Sequence, residues 1–133
     1  TMDKAALKRG LPQLVDFLKR VPGVQLLSSQ VTADAFWWVK LRIDLRHPLA
    51  WSVVQELGHV LNDVSVSEKL PTVFKPVSPP PYLNGGPHEF LCWVIESEYN
   101  YIDPAWIAEE LQNRMPRPVD DLAQWNDDAA EDV

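Results

Sequence analysis

The closest approach to a catalytic grouping in this chain is Gln55, Glu56 and His59, inside the run VQELGHVL from Val54 to Leu61. On a helix, Gln55 and His59 stand four residues apart and share a face. An imidazole in that position can ligate a metal ion, and a neighbouring carboxylate can take a proton from a metal-bound water. That is the chemistry of metal-assisted hydrolysis. It requires further ligands, and Gln55 offers only an amide oxygen, a poor zinc ligand beside an imidazole nitrogen.

The five residues QELGH resemble the HELGH of zinc peptidases, with Gln55 in place of the first histidine and with Glu56 and His59 matching the other two positions. The resemblance covers five residues and implies a degenerate zincin-like site. His88 and Glu89 follow at a separation that some such families allow for a third ligand. The helical wheel argues otherwise. Ala50, Val53, Val54, Leu57, Val60, Leu61 and Val64 form one apolar arc of about 120°, and Gln55, Glu56, His59 and Asn62 occupy the opposite face. The expectation is an amphipathic surface helix, with no metal and no cofactor.

Other catalytic patterns are missing from the sequence. It has no P-loop, no G-x-G-x-x-G and no G-x-S-x-G, and Glu109 and Glu110 are adjacent on a helix, where neighbours do not face each other. His47, His59 and His88 are scattered. The single cysteine, Cys92, lies in FLCWVI and reads as a core thiol, and it has no internal partner for a disulfide. A non-enzymatic chain is expected.

Charge is distributed unevenly. Residues 1 to 88 carry ten Lys and Arg against seven acids, a net +3, whereas residues 89 to 133 carry twelve acids against Arg114 and Arg117, a net −10. No clustered basic face faces a phosphate backbone, so nucleic acid is not an expected partner. A basic protein is the natural complement of the C-terminal third. Trp38, Trp51, Trp125, Tyr82, Tyr99 and Tyr101 fall on segments that read as surface, and aromatic side chains with acidic neighbours make anchor contacts in protein interfaces. The candidate binding residues are Glu96, Glu98, Tyr99, Trp106, Glu109 and Glu110, followed by Tyr82 in the loop SPPPYLNGGP.

Hydrophobic periodicity supplies the elements that must position these groups. Residues 3 to 9 and then 11 to 20 read as helix, stopped by Pro22 and Gly23. Residues 24 to 31 read as a short strand. From 36 to 46, Trp37, Val39, Leu41, Ile43 and Leu45 alternate with Trp38, Lys40, Arg42, Asp44 and Arg46, a strand with one dry and one wet face. A helix follows from about 48 to 63, then strands at about 71 to 77 and 88 to 96. The last strand is apolar on both faces and should be central. Asp103 and Pro104 then cap a helix that runs to Met115. The order α-β-β-α-β-β-α predicts an α+β two-layer domain: a mostly antiparallel sheet of about four strands with helices on one face.

With 133 residues, 46% of them hydrophobic, the chain is expected to form one domain over residues 2 to 118, followed by an acidic, flexible tail from 119 to 133. Thr1, ahead of Met2, reads as a cloning remnant. No apolar run approaches the roughly 18 residues of a membrane helix, and the N-terminus is charged, so a cytoplasmic protein without membrane contact is expected. Three functions follow. The first is a protein-binding module, most concretely a bacterial immunity-type protein that neutralises a toxin. The second rests on element order, length and acidity, in which the chain is similar to class I type III secretion chaperones; that likeness implies a homodimer clasping an unfolded effector segment, although the first strand group here is one strand short. The third is the degenerate zincin-like protein. Monomer and homodimer both stay open.

Overall fold

The computed structural model describes residues 3–77 and 90–125. The elements are α1 (Lys4–Lys19), β1 (Val24–Val31), β2 (Trp37–Asp44), α2 (Ala50–Ser67), β3 (Thr72–Pro76), β4 (Phe90–Ser97) and α3 (Pro104–Arg114). The four strands form one antiparallel sheet in the order β1-β2-β4-β3, so β4 is central. Along β2, Trp37, Val39, Leu41 and Ile43 are buried while Trp38, Lys40, Arg42 and Asp44 are partly exposed. The dry face packs with all three helices in a single core. This is the expected α+β two-layer architecture.

The first helix departs from its expected shape. It is one uninterrupted segment, capped by Asp3, whose carboxylate accepts from the Ala5 N–H at 3.1 Å, and it passes through both Gly10 and Pro12. Proline removes one helical N–H and crowds the carbonyl four residues back. That carbonyl belongs to Lys8, and Lys8 and Pro12 are both on the exposed side. Leu7, Leu11, Leu14 and Leu18 on the other side are buried and hold the helix together. Gly10 is a contact point: a Cβ there would lie 2.6 Å from Asp103 Oδ1 and 3.1 Å from Ala105 N. Its bare backbone lets α1 close on the start of α3.

In α2, Ala50, Val53, Leu57, Val60, Leu61 and Val64 are buried, as the wheel places them, and Val54 packs at the margin. Asp103 caps α3 by accepting from Ala105 N–H at 2.9 Å, with Pro104 in the first turn. Packing continues beyond Pro118, where the sequence suggests a tail. A helical turn at 122–125 buries Trp125 to 2% exposure in the core, and its indole N–H donates to Val119 O at 3.0 Å. The surface position expected for Trp125 is therefore corrected: its large apolar ring is worth more in the core than in an acidic surface segment. Residues 126–133 lie outside the described residues. No described helix is long and apolar enough to cross a membrane.

Candidate functional site

Strand pairing brings together residues that are far apart in sequence. Trp38 on β2 is opposite Glu96 on β4, and Glu96 is opposite Val73 on β3, so the three form a row across the sheet. Beyond the row, the chain leaves β4 through Glu98 and Tyr99. Together with Thr32 and Phe36 of the β1–β2 turn, these residues line a hollow of about 660 Å³.

The walls of this hollow are held from beneath. Trp37 donates its indole N–H to Ile102 O at 2.7 Å and its backbone N–H to Ser97 Oγ at 3.0 Å. Both bonds are buried, and they fasten the ends of the segment that carries Glu98, Tyr99 and Tyr101. Glu98 N–H donates to Pro71 O at 3.0 Å, which fixes the third side. On the β1–β2 turn, Thr32 Oγ1 accepts from Phe36 N–H at 3.1 Å, and Ala35 adopts a positive φ of 66°. The two buried bonds of Trp37 cost stability if either is left unpaired.

The exposed rim is aromatic and acidic. Tyr99 and Tyr101 stack with ring centroids 5.3 Å apart and stay about half exposed, at 49% and 48%. Glu96 pairs with Lys75 at 3.0 Å across the sheet. Glu98 is exposed and makes no ion pair among the described residues. The hydroxyls of Thr32 and Ser97 are both engaged with backbone N–H groups. The side chains lining the hollow include the carboxylates of Glu96 and Glu98 and the aromatic residues Phe36, Trp38 and Tyr99.

The binding residues inferred from the sequence separate into two groups. Glu96, Glu98 and Tyr99 meet at the hollow. Trp106, Glu109 and Glu110 lie on α3, where Trp106 is 52% exposed and Glu109 is exposed. Glu110 is occupied by Arg114 at 3.0 Å, and the same guanidinium bridges to Asp63 and Glu68 at the end of α2. Its hydrogen bond to Asp63 raises the Arg114 pKa. Glu110 thus belongs to a clasp between α2 and α3. Tyr82 lies outside the described residues. Thr32 and Phe36 were not singled out from the sequence, because nothing local marks a turn as the wall of a distant hollow.

His47 and His59 lie among the described residues. His47 Nδ1 accepts from Leu49 N–H at 3.0 Å and its Nε2 meets Asp120 Oδ1 at 2.8 Å, so the ring joins the start of α2 to the segment before Trp125. Gly23, with φ of 75°, passes beneath this ring, where a Cβ would lie 3.3 Å from it. His59 and Gln55 are exposed on α2, and His88 and Glu89 lie outside the described residues. Among the described residues no three His, Cys, Asp or Glu side chains are grouped to hold a metal ion. Cys92 is buried on β4.

No protein-family model matches the chain, and comparison with curated proteins and with solved structures found no match.

Proposed function

We propose that this chain is a non-enzymatic protein-binding module, most concretely a cytoplasmic immunity-type protein that neutralises a toxin by direct contact, and that the hollow beside Trp38 receives a basic side chain of the partner. One observation carries this reading: the carboxylate of Glu98, which makes no ion pair among the described residues, shares a hollow with Trp38, Tyr99 and the Lys75-paired Glu96. A guanidinium over an aromatic face gains about 0.5–2 kcal/mol, rising with desolvation. Charge-assisted hydrogen bonds to carboxylates are about twice as strong as neutral ones. The stacked Tyr99 and Tyr101 add rigid anchor area at the rim. The −10 charge of the C-terminal third favours a basic partner.

The decisive experiment pairs the purified chain with the product of an adjacent gene encoding a toxic C-terminal domain, followed by calorimetry and stopped-flow association. A one-to-one complex is expected. Trp38→Ala with Glu98→Lys should weaken it by at least about tenfold, the charge reversal acting mainly on the association rate. Absence of a complex, or a complex indifferent to this double variant, would overturn the reading. Sensitivity confined to Trp106 and Glu109 would instead move the interface to α3.

A further inference from the structure

The two edges of the sheet are protected unequally. β3 is five residues long and ends in Lys75 and Pro76, the kinds of residue that block strand addition. β1 is eight residues long, VQLLSSQV, with no charge and no proline. Its one irregularity is a register shift between Leu26 and Ser28, which leaves Ser28 to Val31 in regular pairing with β2. A long, uncharged and regular edge is a template for another strand, and proteins that have no use for one usually block it.

The backbone phase along this edge follows from one hydrogen bond. Thr32 N–H donates to Phe36 O at 2.7 Å, which makes Thr32 and Phe36 a hydrogen-bonded pair. Antiparallel pairs alternate, so Val31 opposite Trp37 and Ser29 opposite Val39 direct their N–H and C=O groups away from β2. Trp37 agrees with this phase, since its own N–H points the other way, to Ser97 on β4. Among the described residues no further strand pairs with these groups of Ser29 and Val31, which adjoin a groove of about 350 Å³ between β1 and α1. Leu11, Pro12 and Val15 supply its apolar part, and Lys8 and Lys19 stand toward its two ends, with Asp16 between them. The helix with its two caps carries Lys4, Lys8, Arg9, Lys19 and Arg20 against Asp3 and Asp16.

We infer that Ser28 to Val31 is a strand-addition site that takes an extended acidic segment of a partner protein as a fifth strand. Strand residues four apart point to the same face and lie about 13 Å from each other. Lys8 and Lys19 are about 16 Å apart along the helix axis, a difference that flexible lysine side chains absorb. The groove-side pattern that fits is therefore acidic, apolar, acidic at alternate residues, the apolar side chain entering between Leu11 and Val15. This site is on the opposite edge of the sheet from β3 and does not depend on the cation-binding hollow.

The test is fluorescence anisotropy with a labelled synthetic peptide having Glu, Val and Glu at alternate positions and Thr between them. Ser29→Pro removes the outward N–H, and proline is tolerated on an edge strand when its missing N–H would have faced solvent, so the fold should survive. Saturable binding is expected, weakened at least about tenfold by Ser29→Pro and by Lys8→Glu with Lys19→Glu. Glu98→Lys should leave it unchanged. As a second measurement on the unaltered chain, the peptide should slow amide exchange at Ser29 and Val31. Absence of saturable binding, or binding without added protection at those two amides, overturns the proposal. So does self-association abolished by Ser29→Pro, which would assign the edge to a second copy of the chain.

Discussion

Gly10→Ala and Gly58→Ala are the same chemical change in two helices of one domain, and they should move stability in opposite directions. In a helix interior, alanine is favoured over glycine by about 1 kcal/mol. At Gly58 the new Cβ would have Phe74 as its nearest neighbour, at 3.9 Å, an ordinary van der Waals distance. The propensity gain is then realised, and Gly58→Ala should stabilise the domain by about 0.5–1 kcal/mol. At Gly10 the Cβ meets the carboxylate that caps α3 and the backbone N–H that this carboxylate accepts from. Displacing an N-cap costs about 1 kcal/mol and overpacking a close contact costs about 1–3 kcal/mol. Set against the propensity gain, Gly10→Ala should destabilise by about 1–3 kcal/mol. Urea unfolding followed by tryptophan fluorescence measures both, read as shifts in midpoint at constant slope. The cause is tested in the Asp103→Ala background, where the cap is already gone. There the cost of Gly10→Ala should fall by about 1 kcal/mol, the coupling expected for groups in contact. A stabilising Gly10→Ala, or strict additivity with Asp103→Ala, would refute the proposed closure of α1 on the α3 cap.

Three other substitutions probe separate parts of the structure. Trp37→Phe removes the donor to Ile102 O and should cost about 1–3 kcal/mol for the stranded buried carbonyl, with faster proteolysis of the segment from Ser97 to Ile102 as the local readout. Trp125→Ala should lower stability by about 3 kcal/mol, the low end for a buried tryptophan, in thermal unfolding; a change below about 0.5 kcal/mol would return this residue to the surface. His59→Ala should shift stability by less than about 0.5 kcal/mol, because the side chain lies on the exposed face of α2; equilibrium dialysis of the unaltered chain against zinc checks the related expectation that no equivalent is retained.

Local patterns carried much of the architecture. The alternation from Trp37 to Asp44 identified a strand with one dry face because side chains on a strand repeat every two residues. The arc from Ala50 to Val64 placed Leu57 inward and Gln55 and His59 outward because a helix repeats every 3.6. Asp103 and Pro104 marked the start of α3 through capping chemistry that acts within one turn. Each of these signals lies within a few residues of the feature it determines, and so each could be read from the sequence.

Contacts across the chain were decided only by the tertiary structure. Glu96, Glu98 and Tyr99 were legible as candidates from charge and residue type, but Trp38 joins them because β2 lies beside β4 in a register that sets Trp38 opposite Glu96. Gly10 reads locally as a break, whereas burial of the leucine face of α1 makes it a point of close approach to the start of α3. Trp125 reads as part of an acidic tail, yet the core accepts it. Even the exposed edge of β1 is a property of the whole sheet, since VQLLSSQV could have formed an inner strand in another order. Periodicity identifies which face of an element is dry; which dry faces meet, and which edge is left unpaired, is settled by burial and hydrogen bonding over the whole chain at once.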